Sequence, residues 1–180
     1  MSGRTGLRRA VAAVMDRSAS VTVEFVLVLP IMLTIMFGAM EGTQLLMCYM
    51  KVVDATQTVA DLVCQQQSVA STDIDNFATA ADLVMQPYSS GALGIAISSV
   101  TFDINTGAAK VAWQDTRGTI VAPTNTAALA ANYGTNGESV IIVQTVYSYT
   151  SILSYVLPKT ITLGQTAFEK PRLVAAIPHT

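Results

Sequence analysis

The chain has 180 residues, of which 51% are apolar and only 12% charged, about half the charged share of an average soluble domain. It is long enough for one modest domain plus a membrane helix and too short for two large domains. The formal net charge of -2 hides an asymmetry. Residues 1–19 carry Arg4, Arg8, Arg9 and Arg17 against Asp16, while the remainder carries six basic residues against eleven acids. A basic tip, an apolar run and a mildly acidic body form the charge pattern of a membrane protein with its N-terminus inside. No basic stripe runs along the body, which argues against a nucleic-acid partner.

Residues 1–19 read as a short cytoplasmic leader, amphipathic around Leu7–Met15. From Val21 to Met40 the run VTVEFVLVLPIMLTIMFGAM is almost unbroken apolar sequence, interrupted by one charge, Glu24, and one helix breaker, Pro30. Twenty helical residues span about 30 Å, one hydrocarbon thickness. Gly38 and Gly42 stand four apart, a small-residue notch suited to close helix packing. Pro30 removes the N–H that would pair with the carbonyl of Val26, a soft point in the helix.

The apolar character then thins without a stop signal. Leu45, Tyr49, Val52, Thr56, Val59 and Val63 alternate in steps of four and three, one stripe on a continuing helix that ends near Gln67. Cys48 and Cys64, sixteen apart on that helix, stand roughly 24 Å from each other, far beyond disulfide reach. Thr72, followed by Asp75 at the third position, resembles the N-cap of a second helix running to Met85 before Pro87. Ile95–Ile104 and Lys110–Gln114 read as strands joined at Asn105-Thr106-Gly107. Residues 117–137 read as a surface loop with a helical turn near Ala127–Ala131. Ser139–Tyr149 and Thr160–Phe168 complete a sheet, with a short apolar turn or helix at Ile152–Leu157 and a loose tail after Pro171. The expected fold is α+β: a long N-terminal helix, transmembrane first and amphipathic afterwards, packed on a small antiparallel sheet. The expected organisation is a leader at 1–19, a membrane helix at 20–42, its amphipathic extension at 43–70 and an extracytoplasmic domain at 71–180.

Signals of catalysis and metal binding are weak throughout. His179 stands next to the C-terminus and reads as a tail residue, and no Cys/His cluster has zinc spacing. Gly134-Thr135-Asn136-Gly137 lacks the Lys-Ser/Thr of a phosphate loop. Asp73, Asp75 and Asn76 lack the glycine and distal glutamate of a calcium loop, and Trp113 reads as core. The expectation is therefore no enzyme, no cofactor, no metal and no small-molecule substrate.

The segment from Arg17 to Pro30, RSASVTVEFVLVLP, carries the most specific signal. Val23-Glu24-Phe25-Val26-Leu27 and Leu29-Pro30 resemble the N-terminus of the TadE-like minor pilins, or pseudopilins, of the tight-adherence (Tad/Flp) pilus system. Glu41 matches an acidic position common in that family, and Tyr147-Ser148-Tyr149 with Pro171-Arg172 matches its C-terminal part more loosely. The resemblance implies a prepilin peptidase cut between Ala19 and Ser20, with Ala19 where the family usually has glycine. It also implies that Glu24, then fifth in the mature chain, pairs with the new α-amino group of a neighbouring subunit. Phe25, Pro30, Gly38, Glu41 and Gly42 join Glu24 as expected contact residues. The partners implied are membrane lipid, the prepilin peptidase, other pilins and the Tad secretion machinery. The implied location is the bacterial inner membrane, with the C-terminal domain in the periplasm. On the residues alone, a membrane acid marks a functional position because an ionised carboxylate in hydrocarbon is expensive. The alternative is a membrane-tethered extracytoplasmic binding domain with no role in pili.

Overall fold

The computed structural model describes residues 17–151 and 159–180, with side chains from Val21 onward. The amphipathic stretch at Leu7–Met15 and the apolar turn at Ile152–Leu157 lie outside the described residues. Helix α1 runs Arg17–Cys64, α2 Ser71–Met85 and the short α3 Thr126–Ala130; the strands are β1 Leu93–Phe102, β2 Ala109–Gly118, β3 Ser139–Thr150 and β4 Thr160–Glu169. The fold is α+β, as expected, with one four-stranded antiparallel sheet in the order β2-β1-β3-β4. The chain divides into two compact units between Thr43 and Gln44, so α1 contributes to both.

In the second unit the buried stripe of α1 is broader than the one read from spacing. Cys48, Val52, Ala55, Thr56, Val59, Ala60, Val63 and Cys64 are all fully buried, whereas Tyr49 stays exposed and reaches Gln165 Oε1 at 3.4 Å. The small side chains at 48, 55, 60 and 64 are buried in one cluster with the valines, so they belong to the core despite their modest hydrophobicity. The two cysteines are free and buried. Thr56 donates to the Val52 carbonyl at 2.6 Å and meets the hydroxyl of Thr145 on β3 at 2.5 Å, a buried polar link between helix and sheet.

Helix α1 ends at Cys64, three residues before the expected stop, and the Arg172 N–H caps the free Cys64 carbonyl at 3.0 Å. The start of α2 also departs from expectation. Ala70 is the cap, and Asp73, not Asp75, reaches back to accept its N–H at 2.9 Å. Asp75 instead pairs with Arg117 on β2. Helix α2 buries Ile74, Phe77, Ala81 and Met85, a single face at helical spacing.

Facing the helices, the sheet presents Ile95, Ile97, Ile141, Val143, Tyr147 and Tyr149, which form one cluster with α1, α2, Val69 and Ile177. A second cluster, Val100, Phe102, Val140 and Ile142 with Ala130 of α3, covers part of the opposite face. Pairing shifts between Ser99 and Val100, which oppose Trp113 and Val111, leaving Ala112 as the extra residue of a bulge. The bulge lets Trp113 join the helix-side cluster while Val111 joins the other. Gly134 lies against the Phe102 ring, where a Cβ would come within 2.0 Å of it.

The turn between β1 and β2 is built around Asp103. Its carboxylate accepts the N–H groups of Asn105 and Thr106 at 2.9 and 2.8 Å and the Thr106 hydroxyl at 3.0 Å. Those bonds, the Thr106 N–H first, hold the Asp103 pKa below its ordinary value. Gly107 follows with φ 66°, the left-handed conformation that favours glycine.

The tail after Pro171 is docked, contrary to its reading as loose. Ile177 is 2% exposed, its carbonyl accepts the Trp113 indole N–H at 2.7 Å, and Val69 pairs with His179 as a parallel bridge. The His179 ring lies 5.3 Å from that of Trp113 and its Nε2 3.7 Å from Asp115, while the residue stays exposed. The segment has no periodicity of its own in the sequence. Its order comes from partners far away in sequence.

Candidate functional site

The first unit contains the helical segment that drew attention in the sequence. Val21, Val23, Phe25, Val26, Leu27, Ile31, Met32, Ile35, Met36 and Met40 are all exposed along it. Helix α1 is long and apolar enough to cross a membrane, and none of its most apolar stretch is buried. This supports a single-pass membrane protein. The polar groups of the segment are handled locally: the Thr34 hydroxyl donates to the Pro30 carbonyl at 2.8 Å, and Thr43 donates to the Ala39 carbonyl at 2.9 Å. Such bonds from a side chain to the preceding turn keep hydroxyls satisfied where no water is present. The helix remains unbroken through Pro30.

Ala19 and Ser20 lie in the first turns of α1, so the expected cut falls within helical backbone. Glu24, Phe25 and Pro30 are exposed, Gly38 and Gly42 are half-buried, and Glu41 is only 3% exposed. At 3.6 residues per turn, Glu24 and Gly42 lie five turns apart on one face, with Gly38 roughly 40° from that line. Pro30 and Glu41 share a second line, roughly 100–120° away, and Phe25 lies on the other side of Glu24. The expected residues other than Phe25 thus form two lines along one helix. No single locus brings them together: Glu24 is about 27 Å along the axis from Gly42. A Cβ at Gly42 would meet nothing within 4 Å, so the packing of this chain does not itself demand a glycine there.

The resemblance marks Glu41 as an acidic contact position, but its burial is not among the expectations from sequence. A signal was present. Continuing the buried line Val52, Cys48, Leu45 one turn toward the N-terminus lands on Glu41.

In the second unit, three features could carry chemistry. Arg117 lies between Asp75 and Asp115, and the bond to Asp75 first holds its pKa above the ordinary arginine value. A shallow hollow of about 310 Å³ is lined by Gln44, Met47, Met50, Lys51, Asp54, Pro87 and Tyr88, with the Tyr88 hydroxyl donating to the Gln44 carbonyl at 3.2 Å. A third feature is the groove between α1 and the end of β4. Among the described residues no group of three or more His, Cys, Asp or Glu side chains is arranged to hold a metal ion.

Residues 19–61 match the family model described as TadE-like protein. The match bears out the resemblance read from Val23 to Pro30, and it takes in Glu24, Phe25, Pro30, Gly38, Glu41 and Gly42. It begins at the expected cleavage point and ends at Asp61, close to the end of α1. A search of curated proteins and a search of solved structures each return no match.

Proposed function

We propose, from the TadE-like segment at residues 19–61, that this chain is a minor pilin or pseudopilin, a structural or assembly subunit of a Tad/Flp-type pilus. The observation that carries this reading is the exposed apolar surface of α1 from Val21 to Met40, with a single carboxylate, Glu24, on it. Such a surface needs lipid or the helices of other subunits around it. In the proposed arrangement the N-terminus is cytoplasmic, residues 20–42 cross the inner membrane and the unit from Gln44 onward is periplasmic. The basic leader favours that orientation.

A prepilin peptidase cuts between Ala19 and Ser20 and releases an α-amino group at Ser20. Glu24 of one subunit then pairs with that amine on the next. In an apolar bundle the pairing offsets part of the desolvation of both charges and fixes the register between subunits. Catalysis plays no part in this role; the chain acts through contacts with lipid, the peptidase, other pilins and the secretion machinery.

The test has two arms. The N-terminal sequence of protein recovered from membranes is expected to begin at Ser20; intact Met1 in assembled fibres refutes the cleavage step. Glu24→Gln is expected to leave membrane insertion intact and to reduce pilus number at least tenfold. Normal fibres from that variant refute the contact role and leave α1 as a tether for an extracytoplasmic binding domain.

A further inference from the structure

The two edges of the sheet are built differently. Strand β2 carries the Ala112 bulge and three charges, Lys110, Asp115 and Arg117, the usual means of keeping an edge from pairing. Strand β4 has no bulge, and its one charge, Glu169, is its last residue. It is ten residues long and pairs in unbroken register with β3, and between Thr160 and Phe168 it contains no charge and no proline. Among the described residues, no backbone hydrogen bond from another element reaches its outer edge. Beside it runs a groove of about 620 Å³, between Gln57, Thr58 and Asp61 of α1 and residues Thr166–Glu169.

We infer that the outer edge of β4 is a docking surface for β4 of a second copy of this chain, the two strands pairing antiparallel about a two-fold axis at Gly164. The occupant follows from self-complementarity. Directly opposed residues in an antiparallel pair share a sheet face. Centring the pair on Gly164 places Thr162 opposite the partner's Thr166, Leu163 opposite the partner's Gln165 and Ile161 opposite the partner's Ala167. It also places Lys159 opposite the partner's Glu169. Moving the axis one residue toward either end sets Lys159 against the partner's Ala167, or Ile161 against the partner's Glu169.

The charges agree with this register. Glu169 and Asp61 lie at the groove and share Arg172 as a common cation, and the partner's Lys159 supplies a further cation there. Gly164 removes side-chain bulk at the axis, where the two strands meet at identical residues. Its own fold leaves room for a side chain: a Cβ would be 3.8 Å from the Thr145 carbonyl oxygen, an ordinary contact. The proposal does not depend on the membrane helix or on a role in pili.

The test uses the full-length chain in detergent micelles. Gly164→Cys is expected to give a disulfide-linked dimer on mild oxidation, since directly opposed strand residues fall within disulfide reach. Ile104→Cys, 71% exposed beside the Asp103 turn, serves as the control and is expected to give none. The wild-type chain, whose two cysteines are buried, sets the background. Thr162→Lys with Thr166→Lys places like charges opposite each other twice and is expected to raise the dimer dissociation constant roughly tenfold. Thr162→Lys with Thr166→Glu makes both opposed pairs attractive and is expected to restore dimerisation. A loss caused merely by misfolding would not be rescued in this way. A monomeric wild type, equal cross-linking at 164 and 104, or equal behaviour of the two double variants would overturn the proposal.

Discussion

Replacing Ile177 by alanine tests whether the C-terminal tail is part of the folded unit. Ile177 is 2% exposed within the main cluster, and the segment around it is fixed by three backbone-centred bonds. Trp113 Nε1–H donates to the Ile177 carbonyl at 2.7 Å, and Val69 exchanges two bonds of 3.0 Å with Pro178 and Thr180. Truncating a buried isoleucine to alanine costs about 2–5 kcal/mol, depending on how far the site collapses. With a urea slope of about 1–3 kcal/mol per molar, a loss of about 3 kcal/mol lowers the unfolding midpoint by roughly 1–3 M. The assay is urea unfolding of the full-length chain in detergent, followed by the fluorescence of Trp113, the sole tryptophan. The same probe senses the tail directly, because loss of docking exposes the indole and shifts its emission to the red. A midpoint change below about 0.3 M with unchanged emission would refute the docked tail.

Two further perturbations follow from the buried link and from the charged rim. The single proton of the Thr56 hydroxyl goes to the Val52 carbonyl, so Thr145 must donate to Thr56. Thr56→Val strands the Thr145 hydroxyl in the core and is expected to cost about 1–3 kcal/mol, while Thr56→Val with Thr145→Val recovers part of the loss in a double-mutant cycle measured by denaturation. At the rim, Lys170 and then Thr135 hold the Glu138 carboxyl down at about 2 from an ordinary 4.5. A depressed folded value means that the stabilisation is complete above about pH 4.5 and is lost as pH falls toward 2. Glu138→Gln is therefore expected to lower the thermal midpoint slightly at pH 7 and to flatten its acid decline between those limits; an unchanged decline would count against the Lys170 pairing.

What could be read from the sequence was whatever local pattern determines. The apolar run from Val21 to Met40 announces its environment without reference to any other segment, and Ser139–Thr150 is β-branched and aromatic enough to be a strand wherever it packs. The misses share a cause. Thr72 is a better intrinsic cap than Ala70, but Asp73 lies where its carboxylate closes on the Ala70 N–H, and Asp75 is held by Arg117, 42 residues away. The tail from Pro171 gains its order from Trp113, Val69 and Ser139, the last donating to the Ala175 carbonyl at 2.7 Å. For the contact residues the sequence located Glu24, Gly38 and Gly42 on one helix, but the burial of Glu41 required following the inner stripe back past Leu45.

The distribution of side chains along α1 shows how one helix serves two solvents. Before Thr43 the large aliphatic residues point outward on every side, as suits a segment whose surroundings are lipid or other helices. After Gln44 the large residues Leu46, Met47 and Met50 remain exposed, while the buried line is built from Cys48, Ala55, Thr56, Ala60 and Cys64 with three valines. These small residues are buried with the valines inside the second unit, and the Thr56–Thr145 bond ties that face to β3. The TadE-like match covers both stretches and ends at Asp61, before the first strand begins at Leu93. The family-matched part therefore takes in the apolar stretch and most of the buried stripe of α1. The sheet that follows lies outside that match, and under the pairing inferred above its β4 edge adds a contact separate from the helix.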